Sequence, residues 1–105
     1  MKPGSLTWQI TQYLQANHAW HSKGALTAER EWRHQKGRRY GARFLPETVG
    51  RALRSLEEDS VIAAKADGIS VQYKWIPHAM RRRYIPTSRR PLGWEHVLFK
   101  LDNFS

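Results

Sequence analysis

The chain has 105 residues, which suits one small domain with a modest core. Hydrophobic residues make up 40% of it, which excludes a disordered chain, and no apolar run approaches the roughly 20 residues that cross a bilayer. Eighteen Lys and Arg oppose nine Asp and Glu, and this net charge of +9 favours a polyanionic partner, nucleic acid first. There is no cysteine, which excludes disulfides and thiolate zinc sites. Because the first residues contain no apolar signal core, we expect a cytoplasmic, nucleoid-associated protein.

The positive charge is concentrated in two stretches of the chain. Residues 21–43 carry seven basic and two acidic side chains, and residues 77–105 carry six and two. The segment between these stretches is close to neutral. A polyanion would therefore be held from at least two places.

The first predicted helix covers residues 6–17. Four apolar residues between Leu6 and Leu14 recur at helical spacing and form one stripe, and Ser5 is a suitable N-cap. A connector follows this helix, with a very short strand predicted at residues 25–26.

A second helix is predicted from Ala28 to about Lys36. Thr27 is its expected N-cap, and Gly37 is its natural end. Residues 37–44 then form a loop that contains three arginines.

The third helix has the strongest signal in the chain and is predicted from Pro46 to about Asp59. Pro46 suits the first turn because its missing N–H costs nothing there. Val49, Leu53 and Leu56 recur at +4 and +3 and predict a buried face.

A β-hairpin is predicted after the third helix. Residues 61–65 and 69–76 are rich in β-branched and aromatic residues, and Asp67-Gly68 between them is a typical turn. The second run places four residues on one face: Ile69, Val71, Tyr73 and Trp75. Pro77 then ends the pairing.

The sequence from Leu45 to Ile62 resembles the recognition helix and first wing strand of bacterial and phage winged-helix regulators. In those families a Thr-Val-x-Arg-x-Leu-x-x-Leu-Glu-x-x-Gly-Ile-like pattern recurs, and Thr48 begins the match here. Ser60 stands where the families usually have glycine, a departure that affects the turn from helix to strand. The resemblance implies an α+β fold: a three-helix winged helix-turn-helix with a two-stranded β-hairpin wing. We expect this domain to cover residues 1–77, followed by a C-terminal extension over residues 78–105.

The resemblance further implies a sequence-specific protein for double-stranded DNA, with helix 46–59 in the major groove. It would act as a transcriptional regulator or as an accessory factor in replication or recombination. The outward face of the helix is predicted to comprise Glu47, Thr48, Arg51, Arg54 and Ser55. Arg51 can donate two hydrogen bonds to guanine, and Thr48 can meet a phosphate or a thymine methyl. The alternative is an ordinary solvated helix face.

The loop before the third helix is predicted to contact phosphates, which position a protein without reading sequence. For the weakly charged hairpin tip, contact with the minor groove and simple covering of the core both stay open. An extended arginine-rich arm would follow the backbone, enter a minor groove or act only as a soluble tail. The candidate residues are Arg33, Lys36, Arg38, Arg39, Tyr40 and Arg43 in the loop, Lys65 in the hairpin, and Arg81, Arg82 and Arg83 in the arm.

Two other functions stay open at this point. The scaffold would serve as a protein-interaction module, or the basic tail would bind single-stranded nucleic acid. The apolar segment from Trp94 to Phe104 is expected to pack on protein and offers a route to a homodimer. The five histidines show no metal-ligand spacing, and we find no nucleophile–base pair or phosphate-cradling glycine loop. We therefore predict no enzyme activity, no cofactor, no small-molecule ligand and no membrane partner.

Overall fold

The computed structural model describes residues 1–28 and 32–90. These residues form an α+β fold with three α-helices, a three-stranded antiparallel sheet and two 3₁₀ helices. None of the helices in these ranges is long and apolar enough to span a membrane. In chain order the elements are α1 (Leu6–Ala16), β1 (His21–Ser22), α2 (Lys23–Thr27), α3 (Pro46–Glu58), β2 (Ile62–Asp67), β3 (Ser70–Trp75), η1 (His78–Arg83) and η2 (Thr87–Arg89).

Helix α1 forms as its apolar stripe and its cap predict. The Ser5 hydroxyl accepts a hydrogen bond from the Trp8 backbone N–H at 3.3 Å. Leu6, Ile10 and Leu14 are buried on the face that meets α3. The helix ends at Ala16, one residue before the predicted end.

The connector after α1 differs from the prediction. The short strand lies at His21–Ser22 rather than at residues 25–26, and it pairs with Tyr73 and Gln72 of β3. Ser22 also caps α2, since its hydroxyl accepts from the Ala25 backbone N–H at 3.1 Å. A two-residue strand has almost no local signal and exists here because a distant strand supplies its partner.

The predicted second helix from residue 28 to residue 36 is wrong. The helix in this region is α2, only five residues long, and Thr27, the expected N-cap, is its last residue. The Thr27 hydroxyl donates to the Lys23 carbonyl oxygen at 2.9 Å instead of capping a new helix. From residue 32 the backbone is not helical.

Residues 32–44 form an irregular antiparallel excursion, which we call the tongue. Arg33 and Arg43 form an antiparallel bridge, and the His34 N–H donates to the Ala42 carbonyl oxygen at 2.9 Å. Gly37 (φ 75°) and Gly41 (φ 83°) bracket the tip. Gly37 therefore serves a turn rather than a helix end, because its left-handed backbone is one that glycine adopts without steric cost.

Helix α3 follows the prediction closely and ends at Glu58. Pro46 occupies the first turn, and Val49, Leu53 and Leu56 are at most 2% exposed. Together with the leucines of α1 and with Trp32, they form the main core of the protein.

The end of α3 explains the departure at Ser60. The Val61 N–H donates to the Leu56 carbonyl oxygen, and the Ser60 N–H donates to that of Glu57, both at 3.0 Å. This pair of bonds is a Schellman motif, whose penultimate residue is left-handed and usually glycine. Ser60 adopts φ 59°, so the chain makes the glycine-type turn without glycine.

The sheet has the strand order β1-β3-β2. Strands β2 and β3, which we call the hairpin, pair from Ile62↔Trp75 to Asp67↔Ser70. The predicted hairpin is confirmed, but its turn lies at Gly68 and Ile69, one residue later than the predicted Asp67-Gly68, and Asp67 pairs with Ser70 in the ladder. Of the four residues predicted to share one face, Val71, Tyr73 and Trp75 pack on the main core, whereas Ile69 is fully exposed in the turn.

Residues 78–90 pack on the sheet, although an extended arm was expected for Arg81 to Arg83. These arginines belong to η1, and the chain then buries Tyr84 against Ala63 and Ile76. The prediction for the apolar segment 94–104 falls outside the described residues.

Candidate nucleic-acid interface

The outward face of α3 carries the residues that the sequence places there. Glu47, Arg51, Arg54 and Ser55 are exposed, and Thr48 is half-buried. The opposite face supplies the core residues described above, so rotation of the helix is fixed by packing. The side chains best placed to meet a partner are therefore polar and led by two arginines.

Helix α2 lies against α3 and forms a shallow groove with it. The groove has a volume of about 370 Å³, and its walls are formed by Lys23, Thr27, Pro46, Glu47, Gly50, Arg51 and Arg54. Sequence reasoning missed Lys23, whose aliphatic chain passes over the buried Gly50. Ser22 is a good capping residue, and this feature of the sequence could have predicted a helix with Lys23 in its first turn.

The stretch of chain that contains the tongue region and α3 is rich in cations. Residues 32–56 contain seven Lys and Arg and a single acidic residue, Glu47. The next acidic residue, Glu57, is 6% exposed and bonded within the protein, so it does little to attract a cation at the surface. Such a concentration of unopposed charge favours contact with phosphates.

The tongue exposes most of its predicted contact residues. Lys36, Arg38, Arg39 and Arg43 are exposed, and Tyr40 is 76% exposed at the tip. Arg33 lies at the base of the tongue and is half-buried. The structure thus brings four cations and an aromatic ring together on one short excursion.

Side chains from the core hold the base of the tongue. The Gln9 amide donates to the Arg33 carbonyl oxygen at 2.8 Å and accepts from the Arg33 N–H at 3.1 Å, as a neighbouring strand would. The buried Trp32 indole N–H donates to the Leu26 carbonyl oxygen at 2.6 Å. The rings of His34 and Phe44 stack with their centroids 3.9 Å apart. The cations therefore extend from an anchored base.

The hairpin presents a different surface. The ammonium group of Lys65, the predicted contact in this element, lies 4.3 Å from the centroid of the Trp20 ring rather than at the tip. Residues 66–73 include no Lys or Arg, and the tip exposes Ile69. The hairpin tip has no cation to offer a phosphate.

The arginines after the sheet divide into exposed and internally bonded groups. Arg82 and Arg83 are exposed on η1, whereas the Arg81 Nε–H donates to the Ile76 carbonyl oxygen at 3.3 Å. Arg90 is bonded to the edge of the sheet, where its Nη2 donates to the Ala64 carbonyl oxygen at 2.7 Å. Of the three arginines predicted to make contacts here, Arg82 and Arg83 are therefore the two that are exposed.

Glu57 organises the attachment of residues 84–90. The Tyr84 hydroxyl donates to Glu57 Oε2 at 2.5 Å and accepts from the Ala64 N–H at 2.9 Å. The Thr87 N–H donates to the same carboxylate at 3.1 Å, and Arg90 Nη2 lies 3.9 Å from it. Burial, and then the bond to Glu57, raise the pKa of the Tyr84 hydroxyl well above its usual value.

The histidines take part in ring contacts. His18 stacks on Trp75 with centroids 5.2 Å apart, and His21 lies 5.6 Å from Tyr13. Within residues 1–28 and 32–90, no group of three or more potential metal ligands comes together.

Comparison with protein-family models, with curated proteins and with solved structures finds no match for this chain.

Proposed function

We propose that this chain is a winged helix-turn-helix protein that binds double-stranded DNA in a sequence-specific manner, with α3 in the major groove. The observation that carries the proposal is the polar face of α3, where Glu47, Arg51 and Arg54 are exposed beside α2. A helix in this setting reads base edges with residues near its N-terminus, while its neighbours contact the backbone.

The topology supports the proposal. Three helices precede a two-stranded hairpin, and the short strand β1 joins that hairpin in the order β1-β3-β2. This arrangement is compatible with the winged-helix fold that the sequence pattern of α3 implies. The tongue is an additional element between α2 and α3.

The residues divide into two roles under this proposal. Arg51 reads a base, because its planar guanidinium can donate two parallel hydrogen bonds to guanine. Thr48 and Ser55 contact the backbone or a neighbouring base. The exposed tongue cations contact phosphates and supply most of the affinity, which is independent of sequence. A regulator of transcription, or an accessory factor in replication or recombination, needs both properties.

Selection of bound sequences from a random duplex library tests the proposal. We expect a defined consensus and binding that weakens steeply with salt. Arg51→Ala should cost about 1–3 kcal/mol on the selected site and relax one position of the consensus. Arg89→Ala, which removes an exposed arginine on η2, is the matched control and should leave the consensus unchanged. Absence of salt-sensitive binding to any duplex would contradict the proposal.

A protein-interaction module is the second candidate, and the exposed Ile69 favours it. An isoleucine at a hairpin tip adds nothing to the core and gains from burial against a partner. A stoichiometric protein partner that duplex DNA fails to displace would support this reading. Single-stranded binding by the basic tail, of which residues 91–105 lie outside the described ranges, stays a prediction, and so does a homodimer through residues 94–104.

A further inference from the structure

An open cavity of about 470 Å³ lies on the tongue. Arg33, His34, Gln35, Tyr40 and Gly41 line it. Its volume falls within the roughly 300–1,000 Å³ that is typical of small-molecule sites. Among the described residues, the lining combines an aromatic ring, a guanidinium group, an imidazole and an amide, without an acidic side chain.

Tyr40 forms an aromatic surface that the protein itself leaves uncovered. Its side chain is 76% exposed, although the ring is among the larger apolar groups of the chain. Gly37 and Gly41 set the turn on which it stands, through their left-handed backbone angles. An exposed aromatic ring among arginines is the usual platform on which nucleic-acid bases stack.

Arg33 carries a buried hydrogen-bond donor that lacks an acceptor. Its Nη1 atom is buried and has no hydrogen-bond partner in the described part of the chain. A buried donor without an acceptor costs about 1–3 kcal/mol, and more when it is charged. The Gln9 amide holds the Arg33 backbone on both sides, so the chain cannot easily move to relieve this cost. A turn of the guanidinium towards the cavity, where an anionic ligand accepts from it, would relieve it.

The remaining lining residues suit the polar edge of a base. The His34 ring is held by its stack on Phe44, and Gln35 is exposed with an amide that both donates and accepts. Neither residue carries a negative charge, so both are compatible with a phosphate nearby.

We propose that this cavity binds one unstacked nucleotide of a nucleic-acid strand, with the base on Tyr40 and the phosphate at Arg33. The inference rests on the proposed function, because the tongue cations bring the cavity to the nucleic-acid backbone. It adds a preference that α3 alone does not give. DNA with an unpaired nucleotide should bind more tightly than fully paired DNA of the same sequence.

Fluorescence anisotropy with three probes tests this inference on the full chain. The probes are a paired duplex, the same duplex with one unpaired 2-aminopurine, and a short single strand that contains 2-aminopurine. We expect the unpaired nucleotide to raise affinity about tenfold over the paired duplex, with quenching of the 2-aminopurine emission. Tyr40→Ala should remove both effects, and Tyr40→Phe should keep them because the ring is retained.

The outcomes separate this inference from the proposed function. If Tyr40→Ala changes neither affinity nor quenching for the two probes with an unpaired base, the cavity proposal is overturned, whatever the paired duplex does. If the paired duplex does not bind but the single strand shows quenching that depends on Tyr40, the cavity proposal holds and the duplex proposal fails. Arg33→Gln should weaken binding of both unpaired probes, whereas Arg89→Ala, which alters an exposed arginine on η2, should not.

Discussion

The tongue and the hairpin are two antiparallel excursions that share little in composition or construction. The hairpin is a six-pair ladder with two lysines, one of them packed on Trp20 and the other 9% exposed. The tongue has a single bridge, five cations and no acidic residue. The hairpin covers the core, and the tongue presents charge.

The contrast between the two excursions shows how an irregular segment is held in place when it has no ladder of strand hydrogen bonds. In the hairpin, alternation along the strands sends every second side chain into the core. In the tongue, Gln9 takes the place of a neighbouring strand and Trp32 supplies the buried anchor. Because the core does not need side chains from the tip, the tip can expose Lys36, Arg38, Arg39 and Tyr40. Substitutions at the anchors of each excursion test this contrast.

The largest effect is expected at the anchor of the tongue. Trp32→Ala removes a side chain that is 2% exposed and leaves a cavity beside Tyr13, whose ring meets it edge to face at 5.5 Å. We expect the free energy of unfolding to fall by about 3–5 kcal/mol, measured by urea denaturation.

Trp32→Phe is the matched control for this change. It retains a buried ring and loses mainly the bond to the Leu26 carbonyl oxygen, so its cost should be smaller. A loss below about 1 kcal/mol for Trp32→Ala would show that Trp32 does not anchor the tongue.

The next effect concerns the outer edge of the hairpin. Tyr84→Phe removes the hydroxyl that donates to Glu57 and accepts from the Ala64 N–H of edge strand β2. We expect the free energy of unfolding in urea to fall by about 1–3 kcal/mol, because the buried Glu57 carboxylate and Ala64 N–H each lose a hydrogen-bond partner. Unchanged stability would mean that this network does not hold residues 84–90 to the sheet.

The same tyrosine makes stability sensitive to alkaline pH. The pKa of Tyr84 is raised in the folded protein, so above about pH 10 the unfolded chain loses the proton first. This contribution to stability is therefore complete below that pH and is lost as pH rises towards the folded pKa. The difference in stability between wild type and Tyr84→Phe should shrink above pH 10, and a constant difference would contradict the assignment.

A smaller effect, with the opposite sign, is expected where α3 turns into the hairpin. Ser60 holds φ 59°, a left-handed angle that costs an ordinary residue about 1–2 kcal/mol. Ser60→Gly removes this cost but adds freedom to the unfolded chain, so we expect a net gain of about 0.5–1 kcal/mol. Thermal unfolding should show a higher Tm for Ser60→Gly than for the wild type, whereas Ser60→Ala should not raise the Tm.

Local patterns in the sequence predicted the parts of the fold that local patterns determine. Helices α1 and α3 lie within one residue of their predicted ends, and the hairpin forms with its turn one residue later than predicted, because periodicity and Asp67-Gly68 act over short distances. The outward face of α3 followed from the same periodicity. The pattern could also identify Ser60 as the unusual residue in its turn.

The parts that were missed depend on distant partners. Strand β1 needs β3, some fifty residues away in the chain, and the tongue needs Gln9, 24 residues before Arg33. The hydrogen bond of Glu57 likewise needs Tyr84, which lies 27 residues further along the chain. No spacing rule in one sequence predicts such contacts. Without them, local patterns alone favoured a helix at residues 28–36, and that prediction is wrong.

The proposed contact between the tongue and DNA phosphates is tested most directly by the salt dependence of duplex binding. The measurement compares variants altered at the tip of the tongue and at the tip of the hairpin. If the tongue contacts phosphates, the double substitution Arg38→Ala/Arg39→Ala should make the negative slope of log Kobs against log salt concentration shallower by about 2. Each lost phosphate contact accounts for about 1. Ile69→Ala at the hairpin tip should leave the slope unchanged. An unchanged slope in the double arginine variant, with normal folding, would contradict the role assigned to the tongue.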